Sequence, residues 1–186
     1  MELLGQKKQL ALACFKVIFI LIISIKFFTG ENMSNIEIVT NQDVAKVSFH
    51  SVPDKPGTAA EIFGFLGELG FNVEVVVSAP TEKGKADISF VINRKELMAL
   101  WGVLSTLKNK VGSEEITQDE KIALISVTGH RFAEQPGIAG RVFKALSKAG
   151  INLDMVSTSL HAITCVIKEE LLPEAQKALK EEFKAD

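Results

Sequence analysis

Two Pro-Gly steps are the residues of this chain whose type and spacing best suit the binding of a charged ligand. Pro56-Gly57 and Pro136-Gly137 each stand directly before a run of apolar residues with helical spacing. A helix that begins after glycine offers backbone N–H groups with a partial positive charge, and glycine leaves room for a ligand to approach the backbone. We therefore predict that each loop can receive the carboxylate of a small ligand.

An asparagine and an acidic residue follow each loop at a fixed distance. They are Asn72 and Glu74 after the first loop, and Asn152 and Asp154 after the second. A carboxylate can hold an ammonium group, so loop and strand together suit a free amino acid. The alternative is purely structural, with Pro-Gly forming a tight turn and each asparagine a left-handed bend before a strand. The occurrence of the same arrangement twice favours binding.

These residues lie in two copies of one module. Gly57 and Gly137 are 80 residues apart, and the same interval separates Gly70 from Gly150. The asparagines and acids keep this interval as well, so the chain contains an internal repeat. Alternating strands and helical runs around them predict the order βαββαβ, which is the split ferredoxin-like pattern of an α+β fold.

Proline and glycine set the expected ends of several elements. We expect a strand at Val44–Ser51 that cannot continue through Pro53, a turn at Pro80–Gly84 and a helix at Ile138–Lys148.

The predicted strands do not divide evenly between the two copies. Ile36–Thr40 is one strand too many for the first copy, whereas the second copy lacks its sixth strand. Because an unpaired sheet edge is a liability, we expect Ile36–Thr40 to complete the second sheet. One ferredoxin-like unit is then inserted in the other, with a first domain at 41–118 and a second at 36–40 plus 119–184.

Composition restricts the classes of function. The 186 residues are 47% apolar, enough to fill a core, and the formal net charge is −2 with no basic cluster beyond the first residues. This charge argues against binding of a nucleic-acid backbone. Cys14 and Cys165 stand in unlike contexts, without the Cys/His spacing of a zinc site. We predict no metal, no cofactor and a core position for Cys165.

The first 32 residues differ in kind from the rest. Leu10–Phe28 is almost wholly apolar and about as long as a membrane span, but it contains Lys16, which costs about 2.5–3.5 kcal/mol at the bilayer centre. No A-x-A-like cleavage site follows it. Three interpretations of residues 1–32 stay open: translated upstream DNA before a true start at Met33, a membrane anchor, or a cleaved signal. The expected location is the cytoplasm, with membrane association as the alternative if residues 1–32 are part of the protein.

Longer motifs carry a resemblance to a known family. The first copy contains V-P-D-K-P-G-T-A-A-E-I-F and then F-N-V-E-V-V-V, and the second contains P-G-I-A-G-R-V-F-K-A-L-S-K-A-G-I-N-L-D-M-V-S-T-S. Over about Ile36–Phe183 the chain resembles the tandem ACT regulatory domains at the C-terminus of aspartate kinases. That family senses lysine or threonine between the ACT domains of two chains, and one of its ACT domains is inserted in the other.

The resemblance implies a regulatory protein that binds an amino-acid effector and forms a homodimer. The residues before Ile36 do not suit a kinase domain, so we expect this chain to lack one. A free-standing regulator fits, and so does a fragment or subunit of an aspartate kinase that acts with a separate catalytic kinase chain. Ser78-Ala79 stands where the family has Gln-Asn, and Leu160 stands where it has Glu. Carried over by position, the implied ligand-binding residues are Asp54, Lys55, Pro56, Gly57, Thr58, Ala59, Asn72, Val73, Glu74 and Ser78 from the first copy, and Asn152, Leu153, Ser157, Thr158 and Ser159 from the second.

One enzymatic interpretation is also open. Acylphosphatases resemble this chain in fold, and they use an arginine in the loop after the first strand with an asparagine on a neighbouring strand. Arg131 and Asn152 are the candidates here, with backbone N–H groups to bind the phosphoryl group. Arg131 stands early in its loop, however, and no Gly-rich cradle surrounds it. His50, His130 and His161 are scattered and lack a paired nucleophile or carboxylate motif. We therefore predict that the chain has no catalytic residue.

Overall fold

The computed structural model of the chain describes residues 36–81, 84–130, 132 and 136–185. Within them the chain forms eight strands and four α-helices, and a 3₁₀ turn precedes each of the second and fourth helices. In chain order the elements are β1 (Glu37–Asn41), β2 (Val44–Pro53), α1 (Thr58–Glu68), β3 (Val75–Pro80), β4 (Lys85–Asn93), α2 (Leu97–Val111), β5 (Glu115–Asp119), β6 (Ile122–Thr128), α3 (Ile138–Lys148), β7 (Met155–Thr158), β8 (Ala162–Lys168) and α4 (Leu172–Phe183).

The strands form two antiparallel sheets of four, in the orders β3-β4-β2-β5 and β1-β6-β8-β7. We call the first sheet with α1 and α2 module 1, and the second sheet with α3 and α4 module 2. Each module has the ferredoxin-like arrangement that the repeat predicts, so the α+β fold is confirmed. The helices cover one face of each sheet, because the apolar residues of both elements meet there in separate cores.

The strand before the first repeat belongs to the second sheet. β1 pairs antiparallel with β6, from Glu37 opposite Thr128 to Asn41 opposite Leu124. Ile36 and Ile38 pack against the core of module 2. β1 therefore covers an edge of β6 that would otherwise be open. This is the pairing that the strand count led us to expect.

The faces of the two sheets that are not covered by helices pack against each other. The shared cluster takes residues from the starts of β2, β3, β6 and β7 and from near the ends of β4 and β8, so it lies at the same end of each sheet. We call this the interface end of each sheet and the opposite end the loop end. The buried members of the cluster are Val44, Val75, Val91, Ile122, Leu124, Met155 and Val166.

Two strands extend further than the sequence predicts. β2 includes Pro53, which pairs with Lys85, although we expected the prolines to end the strand earlier. β5 no longer pairs with β2 beyond His50, so one side of β2 is open there and the missing N–H of proline costs no ladder bond. β3 likewise runs through Pro80, which we had placed in a turn. It is an edge strand, where proline is tolerated.

In the part of the chain that the structure describes, no helix is both long and apolar enough to cross a membrane. The apolar run Leu10–Phe28 and the alternative start at Met33 lie outside the described residues.

Candidate functional site

The loop of module 1 leads into an open helix end. Gly57 has a φ of 104°, in the left-handed region that favours glycine. No described side chain caps the N-terminus of α1, and a Cβ on Gly57 would meet nothing within 4 Å. The partial positive charge of the helix end therefore faces open space, where an anion can reach it. The neighbouring exposed residues are Asp54, Lys55, Pro56 and Ala59.

Hydrogen bonds to the end of β2 hold this loop. The hydroxyl of Thr58, a buried side chain, donates to the carbonyl of Pro53 at 2.8 Å. The backbone N–H of Lys55 donates to the same carbonyl at 3.0 Å, and the N–H of Asp54 donates to the carbonyl of Gly84 at 2.8 Å. The loop is therefore a defined structure attached to the sheet, and its conformation depends on how β2 ends.

Module 2 repeats the helix end, but the residue that matches Thr58 is apolar. Gly137 has a φ of 90°, no described side chain caps α3, and a Cβ on Gly137 would also meet nothing within 4 Å. Ile138, which is buried, stands where module 1 has Thr58. The second loop therefore has no hydroxyl at that position to bind the end of the preceding strand.

Residues Asn72, Val73 and Glu74 lie at the other end of module 1. They directly precede Val75, the first residue of β3, which pairs with Val91 at the interface end. The loop lies beyond the far end of the sheet, five residue steps of β3 away, or about 17 Å. Asn72 and Glu74 are exposed and Val73 is half-buried. Within one chain, therefore, the structure does not bring these residues to the Pro-Gly loop.

Ser78 lies nearer to the loop. It pairs with Ile88 in the half of β3 that approaches the loop end, and it is exposed. Among the predicted strand contacts of module 1, Ser78 alone is on the same half of the sheet as the Asp54–Ala59 loop.

Module 2 divides its predicted contacts in the same way. Asn152 and Leu153 precede β7 at the interface end, the first exposed and the second half-buried. Ser157, Thr158 and Ser159 lie at the loop end and are exposed. The hydroxyl oxygen of Ser159 accepts the N–H groups of His161 and Ala162, at 3.2 and 3.0 Å. Ser159 is thus committed to the hairpin turn.

The two acids predicted to hold an ammonium group already have partners. The carboxylate of Asp154 forms an ion pair with the ammonium of Lys46 across the two modules. The carboxylate of Glu74 lies 3.4 Å from the side-chain amide of Asn41. Lys46 and Asp154 are 108 residues apart, so no local sequence pattern predicts this contact. Both acids contribute to the junction between modules.

His50 has partners that the sequence analysis missed. Its Nδ1 lies 2.9 Å from Oδ2 of Asp87, and its Nε2 lies 2.8 Å from Oγ1 of Thr117. The expectation that this histidine lacks a carboxylate partner was wrong. The three residues come from β2, β4 and β5, and they meet only because these strands are neighbours in the sheet.

The residues considered for other chemistry are placed as follows. Cys165 is fully buried, and this burial raises the pKa of its thiol to about 11, which makes it unreactive. Among the described residues, no group of three or more His, Cys, Asp or Glu side chains could hold a metal ion. Arg131 lies outside the described residues. β6 ends at Thr128 at the loop end, whereas Asn152 lies at the interface end, so the asparagine is remote from the end of the strand that precedes the arginine.

Comparisons with known proteins agree on the domain type. Two ACT domain models match, one over residues 47–99 and the other over residues 125–183. The aspartate kinase of Pseudomonas fluorescens is 34% identical over 149 residues, which are 80% of this chain and 36% of that protein. The aspartokinase of Helicobacter pylori is 36% identical over 171 residues, 89% of this chain and 41% of that one. The chain thus spans about two fifths or less of these curated relatives.

Solved structures give the same answer. A chain from the structure of the aspartokinase alpha and beta subunits matches with a TM-score of 0.75 and 26% identity, covering 82% of this chain and 99% of that one. The regulatory subunit of aspartate kinase from Thermus thermophilus, in its ligand-free form, has the same fold with a TM-score of 0.75 and the same two coverages, at 24% identity.

Proposed function

This chain belongs to the ACT domain family, and on that premise we propose that it is a regulatory protein whose two modules bind a free amino acid. The uncapped, exposed N-terminus of α1 suits the carboxylate of such a ligand. Strand carbonyls and the acid Asp54 suit its ammonium group. Relatives named as aspartate kinases support the class of ligand, an amino acid of the lysine and threonine pathway.

The distance between the loop residues and the strand residues supports the proposal that two copies of the chain together form each ligand site. Within one chain the Asp54–Ala59 loop and Asn72 lie at opposite ends of a sheet, a distance greater than a small amino acid spans. A second copy that places its Asn152–Leu153 segment beside the loop supplies the missing contacts. β3 and β7 each pair on one side only, so free strand edges are available for such an association.

We therefore propose a homodimer with the ligand at the junction between copies. One copy contributes the Asp54–Ala59 loop and Ser78, and the other contributes Asn152 with the backbone of Leu153. The further proposed contacts are Asn72, Val73 and Glu74 from the interface end and Ser157, Thr158 and Ser159 from the loop end. The division into a first domain at 41–118 and a second at 36–40 plus 119–184 is part of this proposal, and the pairing of β1 with β6 supports it.

A catalytic kinase chain or domain is the second proposed partner. The match to a chain of the aspartokinase alpha and beta subunits supports this, as does the share of the relatives that lies outside the matched region. We propose that the chain itself is not catalytic, that it acts in the cytoplasm, and that effector binding changes the activity of the kinase. Titration of the chain into an aspartate kinase catalytic domain tests this partner, because kinase activity should then respond to the amino acid.

Thermal unfolding against each of the twenty amino acids tests the ligand proposal. At one hundred times its dissociation constant a ligand stabilises the folded state by about 2.7 kcal/mol, which raises the melting temperature by about 5–10 °C for a domain of this size. We expect such a shift with one amino acid or a small related set. If none stabilises the chain, and it hydrolyses an acyl phosphate in a reaction that Arg131→Ala abolishes, the acylphosphatase interpretation is correct instead.

A further inference from the structure

A hydrogen-bonded chain of side chains crosses three strands of module 1 at the loop end. The His50 imidazole stands at its centre, with Asp87 on one ring nitrogen at 2.9 Å and Thr117 on the other at 2.8 Å. His50 and Asp87 are each about one third exposed. The proposed amino-acid site does not use this cluster, so its presence needs a separate explanation.

The second oxygen of Asp87 holds an irregular part of β2. Oδ1 accepts the backbone N–H of Ser51 at 2.9 Å. Ser51 has a φ of 54°, a left-handed conformation that a side chain makes costly, and it lies in the register shift between Phe49 and Val52. The N–H of Ser51 is the main cause, and His50 the second, of a pKa of Asp87 below its ordinary value. The ionised carboxylate therefore stabilises this bulge.

The bulge leads directly into the ligand loop. Two residues beyond Ser51, the carbonyl of Pro53 accepts both the Thr58 hydroxyl and the N–H of Lys55. Any change in the direction of β2 at the bulge moves this carbonyl and hence the first turn of α1. The carboxylate of Asp87 is thus connected to the helix end through a short run of backbone and two hydrogen bonds.

Module 2 has no such arrangement at the matching positions. The hydroxyl pair Ser48–Ser89 at 2.7 Å has a counterpart in Ser126–Thr164, also at 2.7 Å. Two residues closer to the loop end on each strand, His50 corresponds to Thr128 and Asp87 corresponds to Ala162. Thr128 and Ala162 pair with each other. A threonine and an alanine cannot supply a carboxylate to hold the backbone. The two modules therefore differ at these strand positions, although their helix ends are alike.

We propose that Asp87, oriented by His50, is the positioning residue for the amino-acid loop of module 1. This inference rests on the proposed function, because it assigns the binding role to the Asp54–Ala59 loop. Neither residue touches the ligand in this account. They act through the bulge at Ser51, and the ligand meets a helix end already held in its binding geometry.

Hydrogen exchange of backbone amides in the full chain, without ligand, tests the positioning role. In Asp87→Ala, we expect amides from Ser51 to Ala60 to exchange about tenfold faster or more, since a charge-assisted hydrogen bond is lost. Amides of α3 should not change. Ser89→Ala is the matched control, because it removes a hydroxyl pair from the same two strands two residues away. Equal loosening of the loop in both variants, or none in Asp87→Ala, overturns the inference.

Two further variants keep the test decisive. Asn has nearly the size of Asp and can still accept the N–H of Ser51, so Asp87→Asn should restore most of the protection that Asp87→Ala loses. His50→Phe keeps a ring but loses both nitrogens, and it should loosen the same segment less than Asp87→Ala does. If Asp87→Ala fails to fold, these two variants are compared with Ser89→Ala instead. The positioning role is contradicted if the loop is unchanged in His50→Phe and loosened in Asp87→Asn.

Binding of the twenty amino acids, measured one at a time by calorimetry, separates this inference from the proposed function. If an amino acid binds the parent chain, Asp87→Ala should weaken it about tenfold or more and Ser89→Ala should not. If none binds, the proposed function fails while the exchange experiment still decides the positioning role. Binding that Asp87→Ala leaves unchanged, despite a loosened loop, contradicts the claim that the loop is prepared for the ligand.

Discussion

Replacement of the two Pro-Gly glycines by valine separates a conformational cost from a loss of binding. Gly57 and Gly137 have φ values of 104° and 90°, and neither has an atom near the position of a Cβ. A side chain in the left-handed region costs about 1–3 kcal/mol. The strain should be similar at both positions, so Gly57→Val and Gly137→Val should lower the melting temperature by similar amounts, about 2–4 °C for each kcal/mol.

The effect on binding should differ between the two variants. The valine methyl groups at position 57 project into the open space above the N-terminus of α1, where the ligand carboxylate is expected. Each hydrogen bond from a helix N–H to a carboxylate contributes about 1.5–3 kcal/mol, and the loss of one lowers affinity about tenfold to 150-fold. Gly57→Val should therefore weaken binding at least about tenfold, and Gly137→Val should do less, because the proposed site uses the Asp54–Ala59 loop of module 1.

Calorimetric titration with the amino acid that gives the largest thermal shift measures both affinities, and urea unfolding measures both stabilities. If Gly137→Val is the more damaging to binding while the stabilities are equal, the site belongs to module 2. If neither variant changes the affinity, the helix N-termini do not receive the carboxylate.

Three other predictions concern the fold. Met155→Ala should lower the free energy of unfolding by about 2–5 kcal/mol in urea titrations, because Met155 is only 5% exposed between the two sheets, while Met98→Ala, at a residue 89% exposed, should change it by about 0.5 kcal/mol at most. Ile38→Asp should destabilise the chain by more than about 2 kcal/mol, since the side chain packs on the core of module 2, whereas Val39→Asp, on the exposed face of β1, should cost far less in the same assay; equal costs contradict the observed register. A lysine ammonium holds the pKa of Asp119 below its ordinary 3.8, so the carboxylate stabilises the fold above that pH and the contribution is lost as pH falls through the lowered folded pKa. The difference in stability between the parent chain and Asp119→Asn should therefore be present at neutral pH and shrink as the pH falls below 3.8, and a constant difference refutes the cause assigned.

The repeated architecture could be predicted from the sequence because its signals are local. Helical spacing with a glycine at each end gave α3 at Ile138–Lys148, as the structure has it. Counting strands between the copies gave the pairing of β1 with β6. The strand ends at Pro53 and Pro80 were missed, since proline is tolerated only where a strand lacks a neighbour, and the sequence does not show which strands lie at an edge.

The candidate site was harder to predict because its geometry depends on contacts distant in sequence. The Pro-Gly loops are local motifs and have the open helix ends that we expected. Asn72 lies at the other end of the sheet from the loop because α1 carries the chain back along the sheet between them. The Lys46–Asp154 ion pair and the His50–Asp87 hydrogen bond join residues 108 and 37 positions apart. Such contacts leave no spacing that a sequence motif could reveal.

The most direct test of a ligand site formed by two copies is a mixture of two variants that each bind the amino acid poorly on their own. Gly57→Val removes the loop half of every site, and Asn152→Ala removes the strand half that a second copy supplies. After the two are mixed and allowed to exchange subunits, half of the dimers contain one of each, and each of these has one intact site. Calorimetric titration with the stabilising amino acid should then recover about one quarter of the sites of the parent chain at parental affinity. A mixture that binds no better than the separate variants contradicts the account, because each site would then lie within a single chain.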